Sequence, residues 1–164
     1  MARYAVAGCK IYIGGVVTDK TTDFTASDFE SQEWVEIGEW ETMGDIGDNA
    51  AIITSQVINF KRDKNAKGTR AAPAMENRHN RDDADLGQIA VKAAEKTDHN
   101  YAIRIVWNDT PAVGAAPKPG ESLFIALVSG ARYIGGTANT NRMLAVTLLP
   151  NSNFVDIAAS AGGD

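Results

Sequence analysis

Cysteine is almost missing from this chain: Cys9 stands alone among 164 residues, so no disulfide forms within it, and folding in a reducing compartment is the simplest reading. Cys9 itself reads as a small buried hydrophobe. The two histidines, His79 and His99, are too far apart in sequence to form a local metal site, and each sits among polar residues expected at the surface. Absent too are a GxSxG elbow, a Walker A loop, a GxGxxG fingerprint and the HExxH and CxxC pairs. An enzyme reading therefore has no constellation to stand on, and no cofactor is expected. Residues 1–18 carry Arg3 and Lys10 among glycines and no long apolar run, which excludes a spanning helix there and argues against a secretory leader. No surplus of base exists either: the net charge is −5 and the pI about 5.0, against the basic footprint of a dedicated nucleic-acid binder.

What is present is a near-average globular composition, 44% hydrophobic and 23% charged, enough for one well-buried core. One domain over 1–164 is expected, with a basic arm over 61–81 and a flexible C-terminus over 158–164. The stretch from Asp82 to Trp107 holds the one convincing helix. Leu86, Ile89, Ala90, Ala93, Ala94 and Thr97 recur at helical spacing, with Gln88, Lys92, Glu95 and Lys96 on the opposite, wet side. Asp85 followed by Gln88 has capping-box spacing, and Asp82 and Asp83 add negative charge where a helix N-terminus favours it. Beyond Asp98 and Asn100, Tyr101, Ile103, Ile105 and Trp107 alternate with Ala102, Arg104 and Val106, the pattern of a half-buried strand.

The remainder reads as strands and loops. Lys10–Ile13 predicts a short strand, placed at a sheet edge, and Trp34–Trp40 predicts another that bends at Gly38. A longer strand is expected over Ala51–Lys61, rich in Ile52, Ile53, Val57, Ile58 and Phe60. Leu123, Ile125 and Leu127 mark the next strand; Leu144, Val146 and Leu148 form the core face of another over Arg142–Leu149; Phe154, Val155 and Ile157 suggest a last one. Asn108–Gly120 and Gly130–Asn141 read as connections. Charge is segregated along this order. Ten carboxylates face Lys20 alone between Asp19 and Asp48, a local charge of −9, whereas seven cations face Asp63 and Glu76 between Lys61 and Arg81, a local charge of +5. The basic segment is polar, contains Gly68 and Pro73, and reads as a long loop or extended hairpin arm that cannot bury enough surface to order itself. Opposite blocks of this kind favour head-to-tail attraction between copies, the heterologous contact that builds rings or filaments; internal salt bridging or plain solubility is the blander alternative.

Two apparent sites fall away. Asp82, Asp83 and Asp85 look like part of a calcium loop, but Ala94 stands where the bidentate glutamate belongs. Asp109-Thr110 is followed by Pro111 where an aspartic-protease motif needs glycine, so a turn is the better reading.

The order of features resembles the major tail tube proteins of long-tailed bacteriophages, roughly from Ile11 to Leu149. The Trp-Val-x-Ile strand, the glycine turn, the strand feeding a long arm, the Asp-x-Gly-Gln-x-Ala helix (Asp85, Gly87, Gln88, Ala90) and the Tyr-x-Ile-x-Ile strand after it carry the resemblance. It implies a mainly β, α+β fold: a β-sandwich or partly open barrel flanked by a single helix, with a long extended loop. It further implies a structural virion protein without enzymatic activity, assembled as hexameric rings stacked into a hollow tail tube through which DNA is ejected. Four strands of each subunit would join those of its neighbours into one inner barrel, closing the sheet edges between chains. The loop Asp63–Asn80 would fold against the next ring, with Lys61, Arg62, Lys64, Lys67 and Arg70 as candidate inter-ring contacts. Glu36, Glu39 and Glu41 are candidates for an acidic lumen or ring interface, since carboxylates would let phosphate slide where a basic wall would hold it. Tape measure, tail tip and tail terminator proteins are the implied partners, with genomic DNA passing unbound and no membrane. The implied location is the virion tail, and the host cytoplasm during assembly. A tail terminator or joining ring, or the tube protein of a contractile injection system, is the nearest alternative. A nucleic-acid-binding module gripping through the basic arm stands behind both.

Overall fold

The computed structural model describes residues 2–162. Ten strands and one α-helix follow one another as β1 (Lys10–Val16), β2 (Val35–Glu36), β3 (Trp40–Thr42), β4 (Asn49–Ser55), β5 (Lys64–Ala71), β6 (Met75–Asn80), α1 (Leu86–Glu95), β7 (Asn100–Val106), β8 (Glu121–Ile134), β9 (Met143–Pro150) and β10 (Val155–Ile157). The main sheet runs β2-β1-β7-β8-β9-β6-β3, with β10 on β8, and β4 and β5 form a separate two-stranded sheet. Every pairing is antiparallel.

The two ends of the main sheet are consecutive in sequence. Val35–Glu36 pairs with β1 and Trp40–Thr42 pairs with β6, so the short corner Ile37–Glu39 carries one chain segment from the first strand of the sheet to the last. The sheet is thereby curled into a partly open barrel. At the corner Ile37 is buried, its N–H donates to the Ile11 carbonyl (2.9 Å), and Glu39 adopts a left-handed φ of 57°. The bend falls at the corner expected around Gly38, where a Cβ would lie 2.7 Å from the Asp85 carboxylate. β1 is correspondingly not an edge strand: it lies between β2 and β7.

The barrel interior holds Ile11, Ile13, Ile37, Met75, Ile103, Ile105, Phe124, Val128, Leu144, Val146 and Leu148, joined by Val91 and Ala94 from α1. Leu144, Val146 and Leu148 form the core face as their alternation indicated. On the outside of β7 and β8 a second cluster of Phe24, Phe29, Ala102, Leu123 and Ile125 is covered by the segment before β2. The first half of β8 is thus apolar on both faces, and β7 sets Ala102 beside the half-buried Arg104 on its outer face.

The helix begins at Asp85 as its spacing indicated, with the Asp85 carboxylate accepting from the Gln88 N–H (2.9 Å) and from the Gly38 N–H (3.1 Å). Its buried face is different from the expected one. Gly87, Gln88, Val91 and Ala94 point inward, while Leu86 and Ile89 are exposed. Contact with the β2–β3 corner sets this rotation: a Cβ on Gly87 would lie 2.1 Å from the Glu36 carbonyl oxygen. Gln88, read as solvent-facing, is a tie between elements: its amide donates to the carbonyls of Asn80 (2.9 Å) and Gly38 (3.3 Å) and accepts from Asp82 N–H (3.1 Å). Cys9 is half-buried. At the C-terminus Ser160 bridges to Lys118; of the tail expected to fray, 163–164 lie outside the described residues.

Candidate assembly interface

The segment read as a single arm, 61–81, divides in two. Its first part belongs to a hairpin in which β4 and β5 register Ser55 with Lys64, Ile53 with Ala66, Ile52 with Lys67 and Ala50 with Arg70. The strand expected over Ala51–Lys61 stops at Ser55, and residues 56–63 make the turn. Its second part, β6, is an interior strand of the main sheet, between β9 and β3, with Met75, Asn77 and His79 buried. His79 is therefore a core residue and not a surface one. Its Nδ1–H donates to the Gly38 carbonyl (3.0 Å), since a carbonyl only accepts, and its ring stacks on Trp40. Burial holds its pKa below the ordinary 6.5.

The hairpin packs only its own two strands against each other to any extent. Both of its faces meet solvent, and each carries an exposed isoleucine: Ile52 is 76% exposed on one face and Ile53 is exposed on the other, with Val57, Ile58 and Phe60 exposed in the turn. Five large apolar side chains on an element without a core are far from the usual scatter of single exposed residues. Among the described residues Lys61, Arg62, Lys64 and Lys67 make no ion pair, while Arg70 reaches Asp48 at 3.6 Å. Among the described residues the basic and acidic blocks consequently share one ion pair, beside a cavity of about 630 Å³ at the foot of the hairpin lined by Asp23, Asp48, Arg70, Leu149 and Asn153. Internal neutralisation does not account for their separation.

The three candidate carboxylates are all exposed but are not gathered together. Glu36 registers with Tyr12 on β2, Glu39 occupies the left-handed corner, and Glu41 lies on β3 beside β6. More telling is the half-sheet that Glu41 borders. β8 continues to Ile134, through residues that the sequence suggested as a connection; Ser129–Ile134 has β9 on one side and no strand on the other. β3, at the opposite side of the same half-sheet, pairs with β6 alone. The four-stranded unit β3-β6-β9-β8 thus ends in two free edges. Its outer face carries Glu76, Arg78, Ala145, Thr147 and Arg132, and it lacks the cover that Phe24 and Phe29 give the other face. Sequence reasoning missed Arg132 and assigned Arg78 to the arm; the period-two spacing of Met75, Asn77 and His79 was the available signal.

A tight charged cluster fixes the far end of β8 to the helix. Arg81 and Lys92 lie over the Tyr133 ring (3.8 and 4.9 Å to its centre), and both bind Asp83 (2.9 and 3.2 Å). The hydrogen bonds from Arg81 and then Lys92 lower the Asp83 pKa to about 2. The acidic run therefore serves the helix terminus and this cluster. No group of three or more metal-ligating side chains occurs among the described residues, and no helix there is long and apolar enough to cross a membrane.

No family model and no curated protein matches the chain. Solved structures do. One match is a chain of the anti-feeding prophage (AFP) baseplate, determined by cryo-electron microscopy with six-fold symmetrisation: TM-score 0.67, 8% identity, 96% of this chain and 98% of that one. The SPP1 tail tube protein, from solid-state NMR and cryo-electron microscopy, matches with TM-score 0.66 and 13% identity over 94% of this chain and 80% of that one. An Hcp protein follows at TM-score 0.50 and 9% identity, over 92% and 98%. The chain has a tail-tube-type fold. Identities this low carry the fold and not the individual residues, so the residue roles rest on the geometry above.

Proposed function

We propose that this chain is a structural, non-enzymatic protein that joins copies of itself edge to edge into rings and stacks the rings into a hollow tube, the tail tube of a long-tailed phage. The observation that carries this reading is the pair of free edges on β3-β6-β9-β8. Pairing the Ser129–Ile134 edge of one copy with the β3 edge of the next is a heterologous contact, and such contacts close into a ring when the rotation between copies allows. Closure removes both exposed edges. Six copies per ring is the expected number, the symmetry under which the AFP baseplate was determined. The half-sheet's bare outer face then lines the lumen, and the hairpin, with Ile52, Ile53, Ile58 and Phe60 exposed, reaches the neighbouring ring. Lys61, Arg62, Lys64, Lys67 and Arg70 supply charge to that contact. Glu41, on the bordering strand β3, is the candidate carboxylate nearest the proposed lumen; Glu36, beside Tyr12, suits a subunit interface better.

Tape measure, tip and terminator proteins are the further partners of this reading, and the virion tail its location. Likeness to a baseplate component supports one alternative, a ring or tube of a contractile injection machine. Negative-stain microscopy of the purified protein at low and high concentration tests both. Long hollow tubes or stacked rings are expected; arrest at single rings would favour the joining-ring reading, and monomers at every concentration would remove the edge-pairing account.

A further inference from the structure

We propose that the outer face of β6, β9 and the far half of β8 is a contact surface for the phosphate backbone of duplex DNA, carried by Arg78 and Arg132. The inference rests on the tube reading only for how DNA comes to that face. In the strand register Arg78, Ala145 and Arg132 stand in one row across β6, β9 and β8. A strand spacing of about 4.8 Å sets the two arginine α-carbons roughly 10 Å apart. The short side chains of Ala145 and Thr147 form the floor between them, and the resulting groove has a volume of about 270 Å³.

The two guanidinium groups are free for a ligand. Among the described residues neither makes an ion pair or a side-chain hydrogen bond, although Glu76 also lines the groove. Arg104, Arg81 and Lys92 are by contrast committed, the first to Glu121 and the other two to Asp83. An arginine offers a planar fork of donors that matches two phosphate oxygens at once. Two such forks with one carboxylate leave the groove net positive on a chain whose total charge is −5. A sheet face with backbone-directed charge and no element to enter a groove of DNA reads no sequence, so the contact is independent of base order. Repeated around a ring, the row makes a belt of arginine. DNA is then held weakly and reversibly by the wall, in contrast to the purely acidic lumen expected from Glu36, Glu39 and Glu41.

Fluorescence anisotropy with a labelled short DNA duplex, read across a salt series from about 50 to 200 mM, tests this on the full chain. Each phosphate contact contributes about 0.9 to the log–log salt slope, so R78A/R132A is expected to lower the slope by about 2 and the low-salt affinity about tenfold. R3A/K10A, a charge-matched pair outside both the half-sheet and the hairpin, is expected to change neither. Both positions are exposed, and an unchanged circular dichroism spectrum and denaturation midpoint confirm the fold. The proposal is overturned if the wild type does not bind duplex at the lowest salt, if R78A/R132A binds as the wild type does, or if poly-glutamate competes as well as DNA. Microscopy of the same samples separates the two readings: tubes without DNA contact overturn the arginine face alone, while DNA contact without tubes overturns the assembly.

Discussion

The hairpin β4–β5 and the strand β6 are separated by three residues, and β5 and β6 lie within the same polar, basic stretch, yet hairpin and strand have opposite fates. β6 buries Met75, Asn77 and His79 between β9 and β3; the hairpin buries none of its large apolar side chains. Hydrophobicity alone would have assigned them the other way round, since Ile52, Ile53 and Phe60 outclass an asparagine and a histidine. Partners decide the difference. Asn77 accepts from the Trp40 indole (3.2 Å) and the Gly44 N–H (3.0 Å), and His79 donates to Gly38, so the β3 side of the barrel satisfies Asn77 Oδ1 and His79 Nδ1, while Asn77 Nδ2 and His79 Nε2 have no partner among the described residues. The hairpin has no such neighbour among the described residues. In the proposed assembly its apolar surface is covered by another copy.

The comparison breaks most visibly by substitution. Met75→Ala is expected to cost about 2–5 kcal/mol in urea unfolding, the range for a fully buried large side chain, whereas Ile52→Ala should stay within about 0.5 kcal/mol for the monomer. Equal losses at the two positions would mean that the hairpin packs on its own chain. Gly87→Ala probes the corner that closes the barrel beside β6. With Glu36 backbone 2.1 Å from the new Cβ, a loss of about 3 kcal/mol is expected, far above the ordinary gain of alanine in a helix. Asp85→Ala removes the cap and the Gly38 tie together, for about 1–2 kcal/mol.

The smallest effect is the dependence on pH. Because His79 is neutral in the fold and its pKa lies below 6.5, the unfolded chain takes up this proton first. Stability from keeping the ring neutral is complete above pH 6.5 and declines as pH falls from there through the lower folded value. Denaturation midpoints at pH 8 and pH 5 should differ in the wild type and differ less in His79→Gln; an equal dependence in both would assign it elsewhere.

Much of this was legible in the residues. The helix and its Asp85 cap, the bend at Gly38, the inward row Leu144, Val146 and Leu148, and the class of fold all follow from periodicity, capping chemistry and layout. What was not legible depends on contacts between distant segments. The rotation of the helix follows from Gly87 meeting the Glu36 backbone, which no helical wheel contains. β6 hides because its inward positions are polar and become acceptable only beside Gly38, Trp40 and Gly44. Arg132 was passed over because Gly130 suggested a turn, where β8 instead absorbs it as an irregularity between Val128 and Gly130.

Hydrogen exchange of the backbone amides, measured on the monomer and on sedimented assemblies, puts the central claim to the test most directly. The account predicts that amides of Asn49–Ala71 exchange quickly in the monomer and become protected on assembly, while those of Met75–Asn80 are protected in both. Assemblies in which the hairpin still exchanges as fast as in the monomer would contradict it.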